Sequence, residues 1–147
     1  KRFSIHDGLG IKMAIATGLS VAVISGHASQ ATIHRFEKLG VKDVVVGAAH
    51  KTAPFNDLLQ RHDLSAEEVA VVGDDLPDLP LMSVAGFSAT VPGAPDPVTS
   101  AADMVTQRRG GHGAVREVIE FVLKAQGRWD AAVASVTGPE GRPETSS

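Results

Sequence analysis

Three places in the chain set side chains able to handle phosphate just behind short apolar runs. Ser25 follows "VAVI", Lys51 lies four residues beyond "VVVG", and Asp74 with Asp75 follows "VAVVG", with Asp78 close behind in "GDDLPD". Adjacent carboxylates repel, and each shifts toward its neutral form unless a cation lies between them. Oxygen ligands without cysteine or a histidine cluster suit Mg²⁺, a hard ion that keeps several waters and binds substrate phosphate. An ammonium and a hydroxyl beside it are donors for phosphoryl oxygens and for charge that develops in a transition state. Brought together, these groups make a Mg²⁺-dependent phosphoryl-transfer site, with Ser25 and Lys51 as donors and Asp74, Asp75 and Asp78 around the metal. Taken singly, each has a plainer reading. A Ser–Gly pair is a turn signal, a lysine before a helix is often a solvated charge, and an Asp pair can cap a helix.

Convergence requires elements that end at one edge. Residues 20–26, 41–47, 68–75, 86–93 and 103–107 read as strands, and the first three are nearly continuous apolar runs, as in parallel strands buried on both faces. Helical patterns lie between them at about 8–18, 29–39, 52–62, 78–85 and 114–126, with Ile33, Phe36 and Leu39 on one face and Gly18 and Gly40 as C-terminal caps. Strand–helix alternation predicts an α/β fold, a three-layer, Rossmann-like, doubly wound parallel sheet that binds ligands at the carboxyl ends of its strands. Residues 1–129 read as one domain and 130–147, rich in Gly, Pro and Ser, as a flexible tail.

Composition narrows the partners. The 147 residues carry 14 basic and 17 acidic side chains, so no global field attracts nucleic acid or an anionic membrane. No apolar run reaches the roughly 18–20 residues of a membrane span. The chain has no cysteine, which excludes disulfides and thiolate metal sites and suits the cytoplasm.

"VISG", Lys51 before a helix and "GDDLPD" resemble the second, third and fourth motifs of the haloacid-dehalogenase superfamily of phosphohydrolases. "IHDGLGIKM", "VAVISGHAS", "EVAVVGDDLPDLPLM" and "GGHGAVREVIEFVLKAQG" are similar to one branch, the phosphatases of 3-deoxy-D-manno-octulosonate 8-phosphate. The resemblance implies a homotetramer without a cap domain, acting on a sugar-acid phosphate. It also implies roles: Asp74 as a Mg²⁺ ligand, Asp75 and Asp78 supporting it, Ser25 and the Gly26 N–H on phosphoryl oxygens, and Lys51 neutralising the phosphoryl group. Asp7 and Gly8 match a segment on the substrate side, and "GGHGA", Gly110 to Ala114, one that packs toward an active site.

Two features depart from that pattern. The superfamily's nucleophile is the first Asp of a D-x-D at the end of the first strand, and no D-x-D here follows an apolar strand. The expectation is that this strand lies upstream of Lys1, that the sheet lacks its central strand, and that the chain alone does not turn over. Low stability follows from the open sheet edge. Where relatives commonly carry Arg, this chain has His6, His27 and His112, and His lacks the permanent, bidentate grip of a guanidinium. His27 and His112 therefore stand as substrate contacts, and a nonulosonate 9-phosphate remains an alternative substrate. His34, His50 and His62 read as surface residues.

Other classes fit less well. A non-catalytic oligomerisation or regulatory domain, of the kind fused to cytidylyltransferases of acidic sugars, is the main alternative. A phospho-receiver domain places its acidic pair near the start and its Lys last, which differs from the order Ser25, Lys51, Asp74 here. A dinucleotide-binding fold lacks a G-x-G-x-x-G after a strand.

Overall fold

The apolar runs form short parallel strands. The computed structural model describes residues 4–138. In it β1 (Ala22–Ile24) pairs with β2 (Asp43–Val45), Ile24 opposite Val45. A second parallel sheet has the order β3 (Ala70–Val72), β4 (Phe87–Thr90), β5 (Met104–Val105). All five expected strands are present, each shorter than its apolar run. The expected parallel α/β architecture is present in two ladders: among the described residues none joins β1 to β3, as expected of a sheet without its central strand. Side chains bring the two sheets together instead. Ile24 of β1 packs against a buried cluster of Phe55, Val71, Leu81, Met82 and Val98, which includes the centre of β3.

Seven helices connect the strands among the described residues: α1 (Ile5–Ala16), α2 (Gln30–Lys38), α3 (Thr52–His62), α4 (Leu79–Val84), α5 (Asp96–Ala101), α6 (Ala114–Ala125) and α7 (Trp129–Thr137). Gly18 and Gly40 close α1 and α2 at φ 98° and 92°, as their positions predict. On α2, Ile33, Phe36 and Leu39 are half-buried and no residue is fully buried.

Helices α5 and α7 were not expected from the pattern. The first is six residues long, too short to show a period, and starts at Asp96–Pro97. The second corrects the expected tail: order continues through Thr137, because Ala132 is fully buried against Met13 and Leu123, with Trp129 and Val133 beside it. The small residues of "WDAAVASVT" hide this from a hydropathy reading. The rest of the expected tail, residues 139–147, lies outside the described residues. Among the described residues, no helix is long and apolar enough to cross a membrane.

Candidate active site

Ser25 extends β1 by one rung. Its N–H donates to the Val45 carbonyl (2.8 Å) and its own carbonyl accepts from Ala48 N–H (3.0 Å). Its hydroxyl oxygen accepts the His27 N–H at 3.1 Å, and Gly47 N–H donates to the His27 carbonyl at 3.2 Å. The turn after β1 is thus laced to the loop after β2, and Gly47 takes φ 72° to make the bend. The Ser25 hydroxyl keeps its proton and a lone pair for a ligand. His27 is exposed and reaches the site's edge through its backbone.

Lys51 stands at the N-terminal boundary of α3, anchored by Phe55, whose N–H donates to the Lys51 carbonyl while its ring is buried. Its ammonium crosses to the other sheet and meets Asp78 Oδ1 at 2.6 Å; the side chains are 15% and 8% exposed. The second Asp78 oxygen accepts the N–H groups of Asp74 (2.9 Å) and Asp75 (3.2 Å). A buried carboxylate with three donors is well satisfied. It fastens the loop after β2 to the loop after β3. Gly73 makes this possible, since a Cβ there would lie 2.5 Å from Asp78 Cβ and 2.9 Å from Met82 Sδ. Asp75 Oδ1 accepts the Leu76 N–H at 2.7 Å and caps the short helical turn Leu76–Asp78.

The three carboxylates therefore differ in availability. Asp78 is committed to Lys51 and the loop backbone, Asp75 to its cap, and Asp74 is exposed with no partner shown for its carboxylate among the described residues. No three Asp, Glu or His side chains converge into a metal-sized group among the described residues. Of the three, Asp74 has the carboxylate open to solvent, and Asp78 holds its loop.

Asp7 and Gly8 occupy another place than expected. Both are buried in α1, and Asp7 Oδ1 accepts the Arg116 N–H at 2.9 Å. Arg116 is in the first turn of α6, whose N-cap, Gly113, has no side chain, so Asp7 supplies the missing cap from another helix. This corrects its reading as a substrate contact: the carboxylate faces a helix end rather than a strand end. The glycine-rich loop before α6 is held from the other side. Glu117 accepts the N–H groups of Gln107 and Arg108, and the Thr106 hydroxyl donates to the Arg108 carbonyl at 2.6 Å. Gly110 lies against Val91, the residue after β4, which sets this loop at the carboxyl edge of the sheet. His112 is exposed there, with Nδ1 3.2 Å from the Gly110 carbonyl.

One feature beside Lys51 was not expected from the sequence. A cleft of about 250 Å³ opens beside Lys51, lined by Ala49, His50, Thr52, Leu76, Pro77 and Pro80.

Parallel strands with polar groups at their carboxyl ends, and a Lys–Asp bridge between two of the loops, make an α/β scaffold. A model of the haloacid dehalogenase-like hydrolases matches residues 28–119, and the chain belongs to that family. Within it, the chain is 40% identical over 132 residues to 3-deoxy-D-manno-octulosonate 8-phosphate phosphatase of Escherichia coli K12, covering 90% of this chain and 70% of that protein. A Moraxella catarrhalis structure of the same phosphatase, in complex with magnesium, phosphate and KDO, superposes with a TM-score of 0.88 at 36% identity, covering 92% of this chain and 78% of that one. The cobalt-bound Haemophilus influenzae phosphatase does so with a TM-score of 0.85 at 39% identity, covering 89% and 77%.

Proposed function

We propose that this chain carries most of the active site of a Mg²⁺-dependent, cytoplasmic phosphatase of sugar-acid phosphates, with 3-deoxy-D-manno-octulosonate 8-phosphate as its substrate. The observation that supports the reading is the Lys51–Asp78 bridge, which holds an ammonium beside the Asp74 loop, in a chain similar to phosphatases of that substrate. In the reaction, water supplies an oxygen to phosphorus, the ester P–O bond breaks, and a proton passes to the departing sugar oxygen. Ser25 donates its hydroxyl, and Gly26 its N–H, to phosphoryl oxygens. Lys51 has three N–H donors, one of them held by Asp78, so two remain for phosphate.

The donor chemistry fits Mg²⁺. The available group is the Asp74 carboxylate, and this ion typically takes only one or two carboxylates and completes its shell with water and phosphate. When bound, it would screen the phosphate charge from the carboxylates and polarise the phosphoryl group. Asp75 and Asp78 keep the Asp74 loop in place, and His27 and His112 face the substrate's exposed side. In this reading the nucleophilic carboxylate arrives on a further strand between β1 and β3, each of which has one unpaired edge among the described residues. The 147 residues by themselves therefore do not turn over. Assembly into a homotetramer belongs to the same reading, with half-exposed Phe121, stacked on Phe87, as apolar surface for subunit contact.

Titrating the chain with Mg²⁺ and following backbone amide resonances tests the metal assignment. Saturable shifts at Asp74 and Asp75 that vanish in Asp74→Asn support it; identical titrations of the two proteins contradict it.

A further inference from the structure

Helices α1 and α6 lie side by side and run the same way, since Asp7 meets Arg116 near their starts and Arg128 meets Thr17 near their ends. Between the starts opens a cleft of about 310 Å³, lined by His6, Arg108, Gly113, Arg116, Glu117 and Glu120. Ser25, Gly26 and Lys51, the phosphate donors named above, are not part of its lining.

The carboxylates of this cleft are already engaged. Glu117 accepts the Gln107 N–H on both oxygens (3.1 and 3.0 Å) and the Arg108 N–H on one of them (3.0 Å). Glu120 accepts from Arg116 Nε at 2.8 Å and lies 3.7 Å from Lys124 Nζ. Arg108 is the reverse case. Glu117 holds its N–H and the Thr106 hydroxyl its carbonyl, while its guanidinium has no partner among the described residues. The side chain is also aimed. It lies over Gly113, where a Cβ would come within 2.9 Å of Arg108 Cδ and 3.5 Å of Nη1.

We propose that this cleft is an oxyanion site separate from the phosphoryl donors, with the Arg108 guanidinium as its bidentate fork and the His6 ring beside it, for a carboxylate or a small phosphate. A guanidinium matches two oxygens of one such anion, and charge-assisted pairs of this kind are the strong ones. A tied backbone and a packed stem leave little conformational freedom to lose on binding. The charges set the size of the ligand. Arg108, Arg116 and Lys124 stand against Asp7, Glu117 and Glu120, so no net field gathers a polyanion, and a small anion is held by geometry. Bound there, it would tie Arg108 to α1 through His6. Residues 107–113, which reach the carboxyl edge of the sheet where Gly110 lies against Val91, would stiffen with it.

The test titrates the chain with acetate and, separately, with inorganic phosphate, without Mg²⁺ and at constant ionic strength, following Arg108 Nε–H and the amides of residues 113–117. The expected result is a saturable shift there. It weakens at least about tenfold in Arg108→Ala, the loss of a charge-assisted bidentate pair, and stays within about twofold in Ser25→Ala, whose change lies at the other site. Arg108→Lys, which keeps the charge and loses the fork, should weaken it as well. Amide exchange in residues 107–113 should slow with the anion bound. Tighter binding of phosphate marks a phosphate site, and equal or tighter binding of acetate a carboxylate site. No saturable shift at these positions with either anion, or shifts that persist unchanged in Arg108→Ala, overturns the proposal and leaves the phosphatase reading untouched.

Discussion

Asp78 and Asp74 sit four residues apart and divide the labour of one loop. Asp78 is buried and holds three donors, so Asp78→Ala strands the Lys51 ammonium and two backbone N–H groups. Removing one partner of such a pair costs roughly 3–5 kcal/mol, to be read from the denaturant midpoint. Asp74→Asn, at an exposed position, should leave stability within about 0.5 kcal/mol. Equal stability losses in the two variants would contradict this division. A third carboxylate, Asp43 at the start of β2, is shaped by its own neighbours. The His62 hydrogen bond holds it below its usual value of 3.8; burial pushes the other way, and the Arg61 hydrogen bond and charge add to the lowering. A depressed carboxyl contributes stability that is complete above the unfolded value and is lost as the pH falls through the folded one. Acid unfolding below about pH 4 should therefore be less steep in Asp43→Asn than in the unmodified chain, with no difference in slope between pH 5 and 6.

At the level of elements, α1 is clamped to the C-terminal helices at both ends. Asp7 caps α6 near its start, and Arg128 Nη1 donates to the Thr17 carbonyl at its finish (3.1 Å). Between them Gly10 lets α6 close in, since a Cβ there would meet Arg116 Cδ at 2.9 Å and its Cα at 3.2 Å. Asp7→Ala should cost about 1–2 kcal/mol, the worth of a helix cap, and loosen residues 107–113 in amide exchange; Asp7→Asn, which keeps the acceptor, should recover most of it. Retained exchange protection in Asp7→Ala would remove the cap from the account. This clamp also shows where sequence reasoning stops. The strands, the central helices and the positions of Ser25, Lys51 and Asp74 in the loops after β1, β2 and β3 were readable, because apolar runs closed by a glycine or turn residue mark the strand ends. The partner of Asp7 lies 109 positions away, and no local pattern announces it. Helix α7 was hidden because its buried face is alanine, and the commitment of Asp78 because one carboxylate in "GDDLPD" looks like another until its donors are known.

Over the whole molecule, the two parallel sheets share a side-chain core without sharing a ladder. Val72 of β3 is 39% exposed and Ala22 and Ala70 are exposed, although these strands read as buried on both faces. Exposed apolar strand edges attract further strands. Supplying an apolar strand that ends in D-x-D, joined ahead of Lys1, should raise the unfolding midpoint as well as complete the chemistry. The most direct measurement is phosphate release by that extended protein from 3-deoxy-D-manno-octulosonate 8-phosphate in Mg²⁺. The account predicts turnover that chelation abolishes and Asp74→Asn removes, with none from the 147 residues alone. An extended protein that is folded yet inert on sugar-acid phosphates, or one whose rate survives Asp74→Asn, would contradict it.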